Sequence, residues 1–382
     1  LGFDTRNCVA IASPSTLAVD PARTRLSDDP SKPRATGMDP LEPYHVNQEQ
    51  PIHPMYAYLY IGDAEEGLIL TFAGTLLDGD PRNNFLSRAT LDDGSTAFNP
   101  DGILDGLTSL TMAGHHLYAT SAAGLVIISV DTPLSPRVVS VIGSDSLTAP
   151  RAVAVQFRYA FVTDAQGLKV VNITDPERAA IVPGAFVPLA DARRIYVART
   201  YAFVAAGKDG LAIIDVTRPE EPAFVSRYSA EGQINDAHDV KVGMTNASLF
   251  AYIADGHNGL RIVRLMGPDS TPQFRGFSPP LQPELIATYH THGPALAISK
   301  GLDRDRAVDE TGHQVAVFGR LGSRPLNLQE MRSFYTNEQG AVWTVTDEPT
   351  TEPQPFTFGV PADAKPESET PADSPGPRRR RR

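Results

Sequence analysis

The sequence predicts an all-β chain folded as a β-propeller of six four-stranded blades, with seven blades as the alternative. Three observations predict it. A strand–turn–strand unit recurs along most of the 382 residues, its turn glycines standing at 67, 124, 167, 210, 259 and 312. The intervals of 57, 43, 43, 49 and 53 residues centre on the length of a blade of four strands. Within each unit, aromatic and β-branched residues alternate before the glycine, and a nearly continuous apolar run follows it. Such a run suits a strand buried on both faces between neighbouring blades.

In chain order, residues 1–40 are rich in Pro, Ser, Asp and Arg and read as an extended, disordered N-terminal arm. The propeller is expected over 41–346. Met55 to Ile61, a turn to Gly67, and Leu68 to Phe72 make the first hairpin. His116 to Thr120 with Leu125 to Val130, Tyr159 to Asp164 with Leu168 to Ile173, and Tyr201 to Ala205 with Leu211 to Val216 repeat it. The clearest hairpin is the fifth, in which Asp255-Gly256-His257-Asn258-Gly259 joins Ala251-Tyr252-Ile253-Ala254 to Leu260-Arg261-Ile262-Val263. A degenerate sixth runs from Ala295 through Gly312 to Phe318. Each glycine supplies the positive φ that a tight turn needs.

Arg151 to Val155, Arg194 to Val197 and Asp239 to Val242 read as innermost strands. Turns bearing Pro133, Pro176 and Pro219 precede outer strands, where proline blunts an exposed edge. Near the end, Asn327 to Glu330 reads as a capping box opening a short helix, and Gly340 to Val345 as a last strand that could pair near Tyr44 to Val46. Residues 347–382 read as a disordered acidic, Pro-rich tail ending in polyarginine.

The net charge is −11, of which Arg378 to Arg382 supply +5, so the rest of the chain carries −16. An acidic body argues against a nucleic-acid partner, since phosphate contacts need clustered Lys and Arg. No apolar stretch is long enough for a transmembrane helix. Cys8 is the only cysteine, so neither an internal disulfide nor a Cys-x-x-Cys-His haem attachment is possible. The chain opens at Leu1 without a signal peptide in its first thirty residues, which reads as a processed product or a piece of a longer precursor.

The stretches Tyr159 to Pro176 and Tyr201 to Pro219 resemble the LVIVD repeat, whose unit reads roughly aromatic-x-aromatic-V-A-D-x-x-x-G-L-x-I-I-D-V-x-x-P. Tyr252 to Leu265 matches through the turn and then loses the Asp and the Pro. The resemblance spans about residues 55–320 and implies a propeller. It also implies an exported setting, whether periplasmic, extracellular or cell-surface, and association with a larger exported complex, because some similar proteins accompany multihaem cytochromes.

No nucleophile elbow, zinc-protease helix, P-loop, dinucleotide fingerprint or EF-hand loop is present. The candidate ligand site is the axial funnel where inner strands begin: Arg151, Arg193, Arg194, Asp236, His238, Asp239 and His292. In this reading Pro150, Arg193, His238 and Pro294 share one position, and Arg151, Arg194, Asp239 and Ala295 the next. Such a funnel in an acidic protein would draw a carboxylate, a phosphate or an acidic peptide. The plainer alternative is that the arginines pair with Asp191, Asp236 and Asp239 and simply close the pore.

No cofactor is predicted. His238 and His292, with His290, leave a transition metal open, and Asp303, Asp305, Asp309 and Glu310, or Asp78 to Asn84, leave Ca²⁺ open, although neither acidic run has calcium-loop spacing. His115, His116 and His257 read as solvated turn residues, and Trp343 as a core plug. The function expected is a non-enzymatic binding or scaffold propeller with a protein partner. The alternatives are an accessory subunit of an exported multihaem electron-transfer complex and a metal-dependent hydrolase with its site in the channel.

Overall fold

The computed structural model describes residues 4–14, 53–73, 86–244, 249–267 and 280–299, with the backbone of 320–321 and 324–325. Contacts divide the chain into two units, Leu1–Arg306 and Ala307–Arg382. In the second unit the described residues form one hairpin, Arg320–Leu321 with Arg324–Pro325. The first unit is an all-β propeller with five blades among the described residues.

Blade 1 contains β1 (Cys8–Ala12), β2 (Tyr58–Asp63) and β3 (Gly67–Phe72). Its outer position is filled by isolated bridges from Phe98 to Leu68 and from Arg88 to Thr71. Blade 2 is β4 (Ser109–Ala113), β5 (His116–Ser121), β6 (Gly124–Ser129) and β7 (Arg137–Gly143). Blade 3 is β8 (Ala152–Gln156), β9 (Tyr159–Thr163), β10 (Gly167–Asn172) and β11 (Ala180–Pro188). Blade 4 is β12 (Ile195–Ala198), β13 (Tyr201–Ala205), β14 (Leu211–Asp215) and β15 (Ala223–Tyr228). Blade 5 is β16 (Asp239–Met244), β17 (Leu249–Ala254), β18 (Leu260–Met266) and β19 (Glu284–Tyr289). The strands of each blade pair antiparallel in chain order. Successive inner strands, β1, β4, β8, β12 and β16, lie side by side.

The core is four apolar layers, one between each pair of neighbouring blades. Alternation along a strand assigns its residues to two layers. On β13, Ala202 and Val204 meet Phe161, Leu168 and Val170 of blade 3, while Phe203 and Ala205 meet Val240, Ala251 and Ile253 of blade 5. Tyr60 and Leu70 meet Leu117 and Val126 between blades 1 and 2, and Leu125 and Ile127 meet Val153 and Val162 between blades 2 and 3. A strand serving two layers has no solvent face, which is why the third strands read as continuous apolar runs.

Two expectations are corrected here. The described residues form five blades rather than six or seven. Buried and half-exposed residues alternate along β18, whereas β6 and β14 are buried almost throughout, so the far face of blade 5 has no further blade against it among the described residues. Of the expected sixth unit, Ala295 makes one bridge, to Gly256, and Ile298 donates its N–H to Asp239 Oδ2 at 2.9 Å. Gly312, Gln314 to Phe318, and the expected helix, closing strand and C-terminal tail lie outside the described residues.

The second correction concerns the N-terminal arm, since Cys8–Ala12 is the inner strand of blade 1. Asn7 donates its N–H to Asp63 Oδ2 at 2.6 Å, and the Arg88 guanidinium donates to Asp4 O, which hold that strand in place. Five residues are too short for a periodic signal, and the partner strand lies far along the chain. Residues 15–52 lie outside the described residues.

Candidate functional site

The inner strands of blades 3, 4 and 5 start at the same end of the channel, and backbone hydrogen bonds define which of their first residues are equivalent. Arg151 N–H donates to Thr163 O, Arg193 N–H to Ala205 O and His238 N–H to Ala254 O. Arg151, Arg193 and His238 therefore share one position, and Ala152, Arg194 and Asp239 share the next. This corrects the register expected from the sequence, which set Pro150 beside Arg193. The cause is the turn of blade 3, where Thr163 to Gly167 is one residue shorter than Ala205 to Gly210. Later in the chain the bridge from Gly256 to Ala295 repeats that from Gly207 to Ala237. Pro294 thus matches Asp236, and His292 falls outside the shared positions, on an exposed turn.

The carboxylates of Asp191 and Asp236, two residues before Arg193 and His238, turn these cations into a relay. Arg151 Nη1 lies 2.5 Å from Asp191 Oδ1 and also donates to Ala192 O at 3.1 Å. Arg193 Nε lies 3.0 Å from Asp191 Oδ2, and its Nη1 lies 3.0 Å from Asp236 Oδ1. His238 Nε2 closes the relay, 3.2 Å from the same Asp236 oxygen. Arg151 thereby ties blade 3 to blade 4, and Arg193 ties blade 4 to blade 5. All five side chains are half-exposed, so each pair is screened and contributes modestly. Asp239 is largely buried and takes Lys241 Nζ at 2.8 Å as well as the Ile298 N–H. The plainer alternative, arginines paired with Asp191 and Asp236, is what the structure shows for Arg151 and Arg193.

Arg194 is different. Its guanidinium spans the channel and donates to Val9 O of blade 1 at 3.2 Å, its one side-chain hydrogen bond among the described residues. Burial lowers its pKa from the ordinary value, Asp239 opposes that shift, and the group stays cationic at any working pH. A guanidinium carries five N–H donors, so Arg194 has donors to spare, and unlike Arg151 and Arg193 it has no carboxylate hydrogen-bonded to it among the described residues.

Sequence reasoning missed a second set of polar residues, the buried aspartates that end the second strand of blades 1, 3 and 5. Asp63 Oδ1 accepts the Glu65 and Glu66 N–H groups, each at 2.9 Å. Asp164 Oδ1 accepts Gln166 N–H at 2.8 Å and Gly167 N–H at 3.0 Å, while Oδ2 accepts Thr148 N–H at 2.9 Å and Lys169 Nζ at 2.8 Å. Asp255 Oδ1 accepts the Asn235 and Asp236 N–H groups at 3.1 and 2.8 Å. Its Oδ2 has Arg261 Nε at 3.5 Å and no hydrogen-bond donor. The signal was present: each Asp stands three or four residues ahead of the turn glycine, and Lys169 or Arg261 stands two residues after that glycine in the two blades where the Asp needs a cation.

A family model for the LVIVD repeat matches residues 190–230 and 236–266. The chain carries LVIVD repeats. The two matched spans are blade 4 and the first three strands of blade 5, so one LVIVD repeat is one blade here. The strand-ending aspartate is a turn organiser in blades 1, 3 and 5, where backbone N–H groups donate to it. The second Asx position of the unit does the same more locally: Asp215 Oδ1 accepts Thr217 N–H at 2.7 Å, and Asn172 Oδ1 accepts Thr174 N–H at 2.9 Å.

Comparison with functionally curated proteins finds no match. Among solved structures, the computationally designed Ika8 protein is similar at 10% identity and a TM-score of 0.36, covering 55% of each chain. The chain therefore spans little more than half the length of that designed protein. The Myceliophteria thermophila Cps50 (Swd1) β-propeller domain is similar at 12% identity and a TM-score of 0.39, covering 62% of this chain and 69% of that one. A chain of the nidogen/laminin complex is similar at 9% identity and a TM-score of 0.38, covering 75% and 80%.

Among the described residues, no three His, Cys, Asp or Glu side chains converge as a metal site would require. His238 is placed against Asp236, and the structure does not bring His292 to it. His257 is exposed in its turn, and the rings of His115 and His116 pack at 4.7 Å. Asp78 to Asn84, Asp303 to Glu310 and Trp343 lie outside the described residues. No helix among the described residues is long and apolar enough to cross a membrane.

The relay has a pH signature. Burial raises the Asp236 carboxyl, but the hydrogen bond from Arg193 and the charge of His238 outweigh it and hold the group below the usual carboxylate range. A carboxyl depressed in the folded state contributes stability that is complete above its unfolded value, about 3.9, and is lost as pH falls through the folded value. Asp236→Asn should therefore flatten the acid limb of the stability curve, read as urea midpoints between about pH 2.5 and 5. An acid limb identical to that of the parent chain would show that the relay is not formed in solution.

Proposed function

We propose that the chain is a non-enzymatic binding or scaffold propeller and that its axial mouth receives a carboxylate, carried on a protein partner or on a small anionic ligand. The observation that carries this reading is Arg194: a largely buried cation whose one side-chain hydrogen bond among the described residues goes to a backbone carbonyl, with the charge of Asp239 acting on it. Its neighbours Arg151 and Arg193 already share Asp191 and Asp236, so a charged ligand would gain most from the guanidinium that has no carboxylate hydrogen-bonded to it among the described residues. A planar fork of N–H groups favours a bidentate carboxylate or phosphate over other anions. The LVIVD character of the repeats supports an exported or cell-surface setting and a protein partner.

Isothermal titration with succinate and with a short glutamate-rich peptide tests the reading. Arg194→Ala should weaken binding by about tenfold or more, and Arg194→Lys should recover only part of it, because an ammonium cannot form the bidentate pair. Affinity that is equal in the parent chain and Arg194→Ala would rule out this mouth as the binding site.

A further inference from the structure

The opposite end of the channel carries a feature that the arginine mouth does not explain. There, in blades 2, 3 and 4, the inner strand turns into the second strand through two residues. These turns are Gly114-His115, Phe157-Arg158 and Arg199-Thr200, closing the pairs Ala113 to His116, Gln156 to Tyr159 and Ala198 to Tyr201. The first residue of each adopts a left-handed backbone conformation, with φ of 58°, 53° and 56°. Glycine adopts that conformation freely, as at Gly114, and a bulky residue rarely does. Blade 3 nonetheless places a phenylalanine there and leaves it 92% exposed. Phe157 is unfavourable both in its backbone conformation and in its exposure.

Beside it lies a cavity of about 190 Å³, lined by Gln156, Tyr196, Ala198, Arg199, Val242 and Leu249 among others. That is smaller than the roughly 300 Å³ at which pockets for drug-sized ligands begin, and on the scale of one side chain. Arg158 is exposed on the same turn as Phe157, and Arg199 stands on the turn of the next blade. An exposed aromatic, a side-chain-sized recess next to it and flanking arginines are the elements of an interface hot spot.

We propose that this end of the propeller docks a protein segment that inserts one apolar side chain into the recess, packs against Phe157 and presents a carboxylate to Arg158. The partner is an acidic segment with an apolar anchor, chosen by charge complementarity to the exposed Arg158. The site is separate from the Arg194 mouth, so the two readings fail independently.

Fluorescence anisotropy on the full chain tests this with three labelled pentapeptides. One has a central leucine flanked by glutamates, one a central leucine flanked by lysines, and one a central serine flanked by glutamates. The glutamate-flanked leucine peptide should bind about tenfold or more tightly than the other two. Phe157→Gly should remove about tenfold of that affinity while leaving the melting temperature equal or higher, because glycine is what blade 2 uses at this position. Arg158→Glu should weaken the same peptide, and the preference for leucine over serine between glutamates should persist in Arg194→Ala, which disables the arginine mouth. Three results overturn the proposal: equal affinity in the parent chain and Phe157→Gly, a clear fall in the melting temperature of Phe157→Gly, or peptides that fail to bind at millimolar concentration. Phe157-dependent binding to phosphatidylglycerol vesicles without peptide binding would overturn it in favour of a lipid-facing aromatic.

Discussion

Replacing Asp164 with alanine should destabilise the propeller by about 3–5 kcal/mol, the range seen when one member of a buried ion pair is removed. The side chain is fully buried, and its two oxygens serve four donors: the backbone N–H groups of Thr148, Gln166 and Gly167, and Lys169 Nζ. Alanine leaves the Thr148 and Gln166 N–H groups without this acceptor, leaves Gly167 N–H only the residue-164 carbonyl at 3.3 Å, and leaves the Lys169 ammonium, 13% exposed, without its countercharge. Lys169 keeps Ser146 O and Gln166 Oε1 at 2.9 and 2.6 Å, which lessens its desolvation without supplying a negative charge. Asp164→Asn should cost less, because the amide oxygen still accepts from the backbone. The double change Asp164→Ala with Lys169→Met should recover part of the loss, since it removes the buried charge that alanine alone strands. Urea denaturation of the three variants reads all of this. If Asp164→Ala and Asp164→Asn proved equal and both small, the turn would be held by its glycine alone.

The contrast between blades explains why such a residue was hard to see in advance. Blades 1, 3 and 5 end their second strand in Asp63, Asp164 and Asp255, whereas blades 2 and 4 use Ser121 and Ala206. Ser121 Oγ donates to Ile103 O and accepts Ala123 N–H, so it does a reduced version of the same work. Read from the sequence, the aspartates look like ordinary turn residues, since burial is a property of the assembled blade. What was legible was periodic: the glycines, the apolar third strands and the short inner strands recur about once per blade, and that recurrence survives translation into structure. The mouth was only half legible. Counting back from a turn glycine puts Arg151 one position out, because blade 3 lacks one turn residue, and the ladder hydrogen bonds rather than the count decide the register. Strand β1 was illegible because its pairing with β2 is non-local and its five residues carry too little alternation. The exposed Phe157 was hidden by its own strand, since in Val155-Gln156-Phe157 it reads as one more apolar residue.

The turn glycines repay a closer look, because positive φ is only half of what they supply. Gly210 has φ of 73°, and a Cβ built on it would collide with Tyr228 O and lie 3.0 Å from Ser229 Cα. The same holds in every other blade: the space is taken by Ile142 O at Gly124, Val187 O at Gly167 and Tyr289 O at Gly259, and by Phe98 O at Gly67 in the blade whose outer position is only bridged. Each glycine therefore lets the outer strand close onto the hairpin, and a side chain would lever that strand away. Gly210→Ala should accordingly cost about 3–5 kcal/mol, combining strain in the left-handed region with displacement of a backbone that cannot yield. Gly94 provides the control, with φ of 86° and nothing within 4 Å of its added Cβ. Gly94→Ala should cost only the backbone strain, about 1–2 kcal/mol. Paired urea melts separate the two contributions. A Gly210→Ala loss no larger than that of Gly94→Ala would mean that the outer strand is free to move, and that the recurring glycine is selected for its turn conformation alone.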